Sequence, residues 1–318
     1  MSALNGKSSS AKMSKKSNRQ PSVVFYYDVV CPYAYLASQR IESIAERNGA
    51  RVEWRPTLLG GVYEATKAPQ GKDGSASDVM PANKKALSAR DLQLQLKRFG
   101  VPLNWHPQHP VKSVDALRLL IAVPDAHRPA LSHALFKAYW VDNKDVSDRA
   151  VLLDIAARVL RLDENSKNEL AVAVAAEKVK AALHQHTAEA VEKGAPGVPA
   201  FVVGDKLFWG QDRLHFVDKA LGNANAAQPR FFSAPPGSSP VKKPNVLTFY
   251  YDFSSPWSYL GHSQLDRIVR EAPKGTVLEA VPILLGAIFK EYVRQVLPFL
   301  FFFQWRVGSE RQTCPCSR

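Results

Sequence analysis

Cysteine is scarce in this chain of 318 residues: Cys31 stands alone near the start, and Cys314 and Cys316 form a pair at the end. Three cysteines do not make the disulfide framework of a small secreted domain, so a reducing compartment is expected. Ala34 stands where a dithiol oxidoreductase would carry its resolving cysteine, so Cys31 cannot form the usual local disulfide. Long apolar runs are absent too. The stretch from Val296 to Phe303 is hydrophobic but far short of the ~18 residues that a spanning helix needs, and no membrane association is expected. The first twenty residues contain no acid and no apolar core of a secretory signal, which argues against export. They do supply Lys7, Lys12, Lys15, Lys16 and Arg19, and residues 1–20 read as a disordered basic tail. Because part of the net charge of +13 sits in that tail, the basic balance does not point to a nucleic-acid partner. Little arginine and no amphipathic run there favour an intracellular, cytoplasmic location over a mitochondrial one.

What the chain does have is a repeat. Phe25-Tyr26-Tyr27-Asp28-Val29-Val30-Cys31-Pro32-Tyr33-Ala34-Tyr35-Leu36 returns as Phe249-Tyr250-Tyr251-Asp252-Phe253-Ser254-Ser255-Pro256-Trp257-Ser258-Tyr259-Leu260. Each copy predicts a strand, then a thiol or hydroxyl, then proline at the first turn of a helix. Val23 to Val30 reads as a strand, Pro32 to Asn48 as a helix stopped by Gly49, and Arg51 to Leu59 as a parallel strand ended by Gly60-Gly61, together a βαβ unit. Helical periodicity follows from about 63 to 193, with segments near Ala82 to Phe99, Val114 to Val123, Arg128 to Val141, Asp148 to Leu160 and Ser166 to Glu192. Val198 to Val203 and Lys206 to Trp209 flank a Gly204-Asp205 turn and predict a hairpin, and Asp212 to Leu221 a closing helix. The fold class is therefore α/β with a large helical insertion between sheet halves. Residues 223–244 read as a linker. The second copy can be followed through 245–290, where Pro282-Ile283-Leu284-Leu285-Gly286 echoes Pro56-Thr57-Leu58-Leu59-Gly60, and 291–318 have no counterpart, so the repeat is expected to be truncated.

Cys31 is the candidate catalytic residue. A helix N-terminus presents unpaired N–H groups and the positive end of the dipole, which favour a thiolate and lower the thiol pKa. The competing reading is an inert buried cysteine. Pro199 opens the strand that would face this helix; a cis Val198-Pro199 bond would expose the preceding backbone to a peptide-like ligand, whereas a trans proline at a strand start would be unremarkable. Among the histidines, His184 and His186 have a spacing that puts them on different faces of a helix, and no metal site is expected.

These motifs, with Pro110-Val111-Lys112-Ser113-Val114-Asp115-Ala116-Leu117-Arg118-Leu119 and Phe208-Trp209-Gly210-Gln211-Asp212-Arg213-Leu214, resemble the DsbA-like thioredoxin-fold family containing 2-hydroxychromene-2-carboxylate isomerase and kappa-class glutathione transferase. The resemblance covers 21–222 fully and 245–290 in part. It implies a thioredoxin-like fold with an inserted α-helical domain, glutathione as cofactor, and a transferase or isomerase reaction on a small electrophile. Cys31 stands where the family's serine does. Val198 and Pro199 would hold the tripeptide backbone, and Gln211 and Asp212 would meet the γ-glutamyl end, although Asp212 reads equally as a helix N-cap. Members often carry an asparagine a few residues beyond the Leu-Gly-Gly segment; Thr66, Lys67 and Ala68 occupy that region here. The thiol opens an alternative, a monothiol disulfide or deglutathionylation oxidoreductase acting on a disulfide, and the shortened second copy a third, an inactive homologue. The resemblance implies homodimers.

Overall fold

The computed structural model of the chain describes residues 20–223 and 246–291. The basic tail, most of the linker and the C-terminal segment lie outside the described residues. By contact clustering the described residues fall into two compact units, 20–72 with 103–223, and 73–102 with 246–291.

The first unit opens with β1 (Ser22–Tyr27), α1 (Pro32–Arg47), β2 (Arg51–Pro56) and α2 (Leu59–Ala65). The α3 helix (Ala82–Phe99) belongs to the other unit. The first unit resumes with α4 (Val114–Ala122), α5 (Arg128–Trp140), α6 (Arg149–Leu160), α7 (Glu164–Ala175), α8 (Glu177–Glu192), β3 (Ala200–Val203), β4 (Lys206–Trp209) and α9 (Leu214–Leu221). Its sheet runs β2-β1-β3-β4, with β2 parallel to β1 and β3 antiparallel. This is a thioredoxin-like fold of mixed α/β type.

β1 is central, and its sequence shows why. Phe25, Tyr26 and Tyr27 are all fully buried, the continuous apolar run expected of a strand covered on both faces. Phe25 stacks on Phe201 across the β1–β3 pair at 5.1 Å and meets Trp54 edge-on at 5.1 Å. Each such side chain withdrawn from water contributes about 1.5–3 kcal/mol. The Gly204-Asp205 turn joins β3 and β4 as expected, with Gly204 at φ 63.

Several boundaries differ from expectation. The segment expected as one helix from Ser166 to Glu192 is two, broken at Ala176 in an extended conformation (φ −64, ψ 141). Neither glycine nor proline marks the break. Both helices pack on α4, α7 also meets α6 and α8 also meets α2 and β2, and α7 and α8 contact each other, which a single straight rod could not do. Gly60 and Gly61 do not end a strand but lie inside α2, and β1 and β2 stop at Tyr27 and Pro56, before Val30 and Leu59.

The second unit contains β5 (Val246–Tyr251), α10 (Pro256–His262), α11 (Leu265–Glu271) and β6 (Val277–Pro282). β5 pairs with β6 in the register of β1 with β2: Tyr27 faces Pro56, and Tyr251 faces Pro282.

Candidate active site

The turn after β1 is built around Asp28. Its side chain is buried, and its carboxylate accepts hydrogen bonds from the Val30 N–H (3.2 Å), the Leu59 N–H (3.0 Å) and the Ser113 hydroxyl (3.0 Å). One carboxylate thus ties the end of β1 to the start of α2 and to the approach to α4. Burial pushes its pKa up to about 6, against the pull of those donors. No local pattern around Asp28 marks it as part of the site. The repeat held the signal, because Asp252 stands in the same place and its carboxylate accepts from the Leu285 N–H at 2.8 Å.

Cys31 caps α1 from an extended conformation (φ −96, ψ 116), its N–H donating to the Asp28 carbonyl at 3.1 Å. Its thiol donates to the Val198 carbonyl at 3.3 Å. The expected thiolate is not what this environment favours. The side chain is 5% exposed, and burial pushes the thiol up to about 12, with the nearby Asp28 charge adding to it. The Ala34 and Tyr33 amides at the helix start pull the other way and are outweighed by desolvation. Ser255, in the second copy, uses its hydroxyl differently: it accepts from the Ser258 N–H at 3.2 Å and so caps α10.

The Val198-Pro199 peptide bond is cis. The Pro199 carbonyl accepts from the Gly210 N–H at 2.9 Å, which holds the following 3-10 turn (Gln211–Arg213) beside the start of β3. Gln211 in that turn is buried, and its side-chain oxygen accepts from Arg40 of α1 at 2.9 Å. Cys31 thus meets Val198, Pro199 holds Gly210, and Gln211 returns to α1 through Arg40, which brings the four residues to one end of α1 and the segment before β3. Asp212 is not among them. Its side chain is exposed and pairs with the Arg213 guanidinium at 3.4 Å, and the N-cap of α9 is Arg213, so the capping reading of Asp212 fails. The turn tightens to 3-10 geometry before α9 begins, which moves the cap one residue along. Asp218 is unmarked as well. It is buried and accepts from Arg47, Asn48 and Asn223, fastening α9 to the end of α1.

His106 and His109 pack against an aromatic cluster. His106 stacks on Tyr139, and His109 shares a 2.8 Å hydrogen bond with the Tyr139 hydroxyl. Among the described residues no three His, Cys, Asp or Glu side chains cluster in a way that could hold a metal ion.

A cis-proline strand facing a helix that starts at Cys-Pro defines a thioredoxin-fold protein. The profile of the DSBA-like thioredoxin domain matches residues 22–222, and the chain belongs to that family. Among curated proteins it is similar to 2-hydroxychromene-2-carboxylate isomerase of Sphingobium xenophagum, 27% identical over 197 residues that cover 62% of this chain and 96% of that one. Human glutathione S-transferase kappa 1 is 26% identical over 213 residues, covering 63% of this chain and 90% of the relative. Among solved structures, a 2-hydroxychromene-2-carboxylate isomerase aligns with TM-score 0.54 at 23% identity, covering 65% of this chain and 99% of that one, which supports the fold.

Proposed function

We propose that the protein is a glutathione-dependent transferase or isomerase acting on a small electrophile, and that 22–222 is its complete catalytic unit. The observation that carries this reading is the setting of Cys31: a buried sulfur 3.3 Å from the backbone carbonyl before the cis proline, where burial favours the thiol over the thiolate. A group held as S–H is suited to donating a hydrogen bond, the part a serine plays in the relatives the chain resembles, and poorly suited to attacking a disulfide.

The residues fit the tripeptide by donor and acceptor type. The Val198 backbone offers peptide hydrogen bonding at the start of β3, and Pro199 borders it. Gln211, fixed by Arg40, offers a side-chain amide to the γ-glutamyl end. Asp212 offers an exposed carboxylate for an ammonium group, free to turn from Arg213 because an exposed pair of this kind is worth at most ~1 kcal/mol. Glutathione would supply the nucleophilic thiolate. Cys31 would move its proton from the Val198 carbonyl toward that sulfur and hold it by hydrogen bonding, without forming a bond to it. Desolvation strengthens such a contact relative to the same contact in water.

The monothiol oxidoreductase reading needs Cys31 as a thiolate, against the burial just described. The second copy, 245–290, would repeat the front half of the unit without the elements that follow it, which leaves the thiol-bearing copy as the working one.

Two measurements test the reading together. Glutathione at millimolar concentration is expected to raise the melting temperature through preferential binding to the folded state. Cys31→Ser is expected to keep conjugating activity with a model electrophile. No thermal shift, or complete loss of activity in the serine variant with the fold intact, would sink it.

A further inference from the structure

We infer that the Tyr63 hydroxyl is a second hydrogen-bond donor to the sulfur of bound glutathione, working beside Cys31. This rests on the glutathione reading above and extends it to a residue that the motifs do not mark.

The placement comes from α2. The Asp28 carboxylate holds the Leu59 N–H at the first residue of that helix, so the orientation of α2 is fixed from the Cys31 turn itself. Leu59 and Tyr63 are four residues apart and share a helix face. Both point at Gly197, the residue before Val198: a Cβ built there would lie 3.7 Å from Leu59 Cδ1 and 3.9 Å from Tyr63 Cε1, with Trp209 Nε1 completing the contact at 3.5 Å. Cε1 is the ring carbon next to the one that bears the hydroxyl. The phenol therefore stands one residue away from the carbonyl that holds the Cys31 thiol.

Its chemistry suits donation. Burial pushes the Tyr63 phenol up to about 12, and the Asp28 carboxylate pushes the same way, so it is protonated throughout the working pH range. The Gln70 side chain hydrogen-bonds the phenol and works against burial. An amide that donates to Oη leaves the hydroxyl proton to point at a ligand and makes it a better donor. Glycine at 197 lets the ring approach without an intervening side chain, and no positive φ requires glycine there.

The test is a pH titration of glutathione bound to the full-length protein, following the ultraviolet absorbance of its thiolate. In Tyr63→Phe the bound thiol is expected to titrate about one unit higher, which corresponds to roughly tenfold weaker stabilisation of the anion. Gln70→Leu is expected to move it in the same direction by less. Binding of S-methylglutathione, which has no thiol to ionise, is expected to change less than about twofold in either variant. An unchanged thiolate titration in Tyr63→Phe, with S-methylglutathione still bound, would overturn the role of Tyr63 and leave the glutathione reading standing. If S-methylglutathione fails to bind the unsubstituted protein, both fall.

Discussion

At the scale of single residues, Cys31 and Asp28 pull against each other. A helix N-terminus lowers a thiol pKa through a few amide dipoles, and complete burial beside a carboxylate raises it by more. Asp28 bears a similar conflict: three donors steady its anion, yet burial leaves the carboxyl titrating near 6. Because the folded state binds this proton more tightly than the unfolded chain does, stability is greatest below the unfolded pKa of about 4. It falls as pH rises from about 4 through about 6 and then levels off, a cost on the order of 3 kcal/mol for a shift of about two units. Asp28→Asn removes that proton exchange. Urea melts between pH 4 and 7 are expected to show a flatter dependence in the variant than in the parent, and parallel slopes would refute the assignment. Asn keeps an acceptor for Leu59 or Ser113 but presents an amide toward Val30, so the slope is the informative quantity and the absolute stability is not.

At the scale of elements, α2 shows how close packing overrides local preference. Two glycines inside a seven-residue helix are unfavourable by about 1 kcal/mol each against alanine. Gly60 is nonetheless required, because a Cβ there would run into the Lys72 backbone carbonyl. Overpacking against backbone costs about 1–3 kcal/mol, which outweighs the propensity gain. Gly60→Ala is therefore expected to lower the denaturation midpoint, although the same change in an open helix would raise it; a raised midpoint would mean that the Lys72 loop yields freely. Much of this level was legible in advance. Strand–helix–strand order, the hairpin at Gly204-Asp205 and the start of α1 at Pro32 follow from apolar periodicity and turn chemistry. The break at Ala176 and the helical setting of Gly60-Gly61 do not, because both are decided by what the segments pack against.

At the scale of the whole molecule, the two units carry the same front motif in different surroundings. β1 lies between β2 and β3 and is buried. β5 pairs with β6 alone among the described residues, and Leu265 is the buried apolar side chain that the 246–291 segment contributes. Phe253, Trp257 and Tyr259 are largely exposed there, at 96%, 77% and 74%. A two-stranded sheet with so little buried surface opens locally at low cost. Native-state hydrogen exchange is expected to show β5 amides exchanging roughly a hundredfold or more faster than β1 amides. Equal protection would indicate that the second unit shares the cooperative core of the first.

The amino-acid order by itself determined the motif: a strand, an Asp, a thiol before proline, and a Val-Pro-Ala-Phe hairpin far downstream, all properties of neighbouring residues and of repeat spacing. It also pointed to Cys31, Val198, Pro199 and Gln211 through a family pattern. Only the tertiary structure decided the surroundings of the sulfur. Its burial, and a carbonyl 167 positions away in the chain, oppose the thiolate that the helix start alone would favour, and neither is a local property of sequence. The same holds for Asp28, whose contacts come from the packing of α2 against the turn after β1.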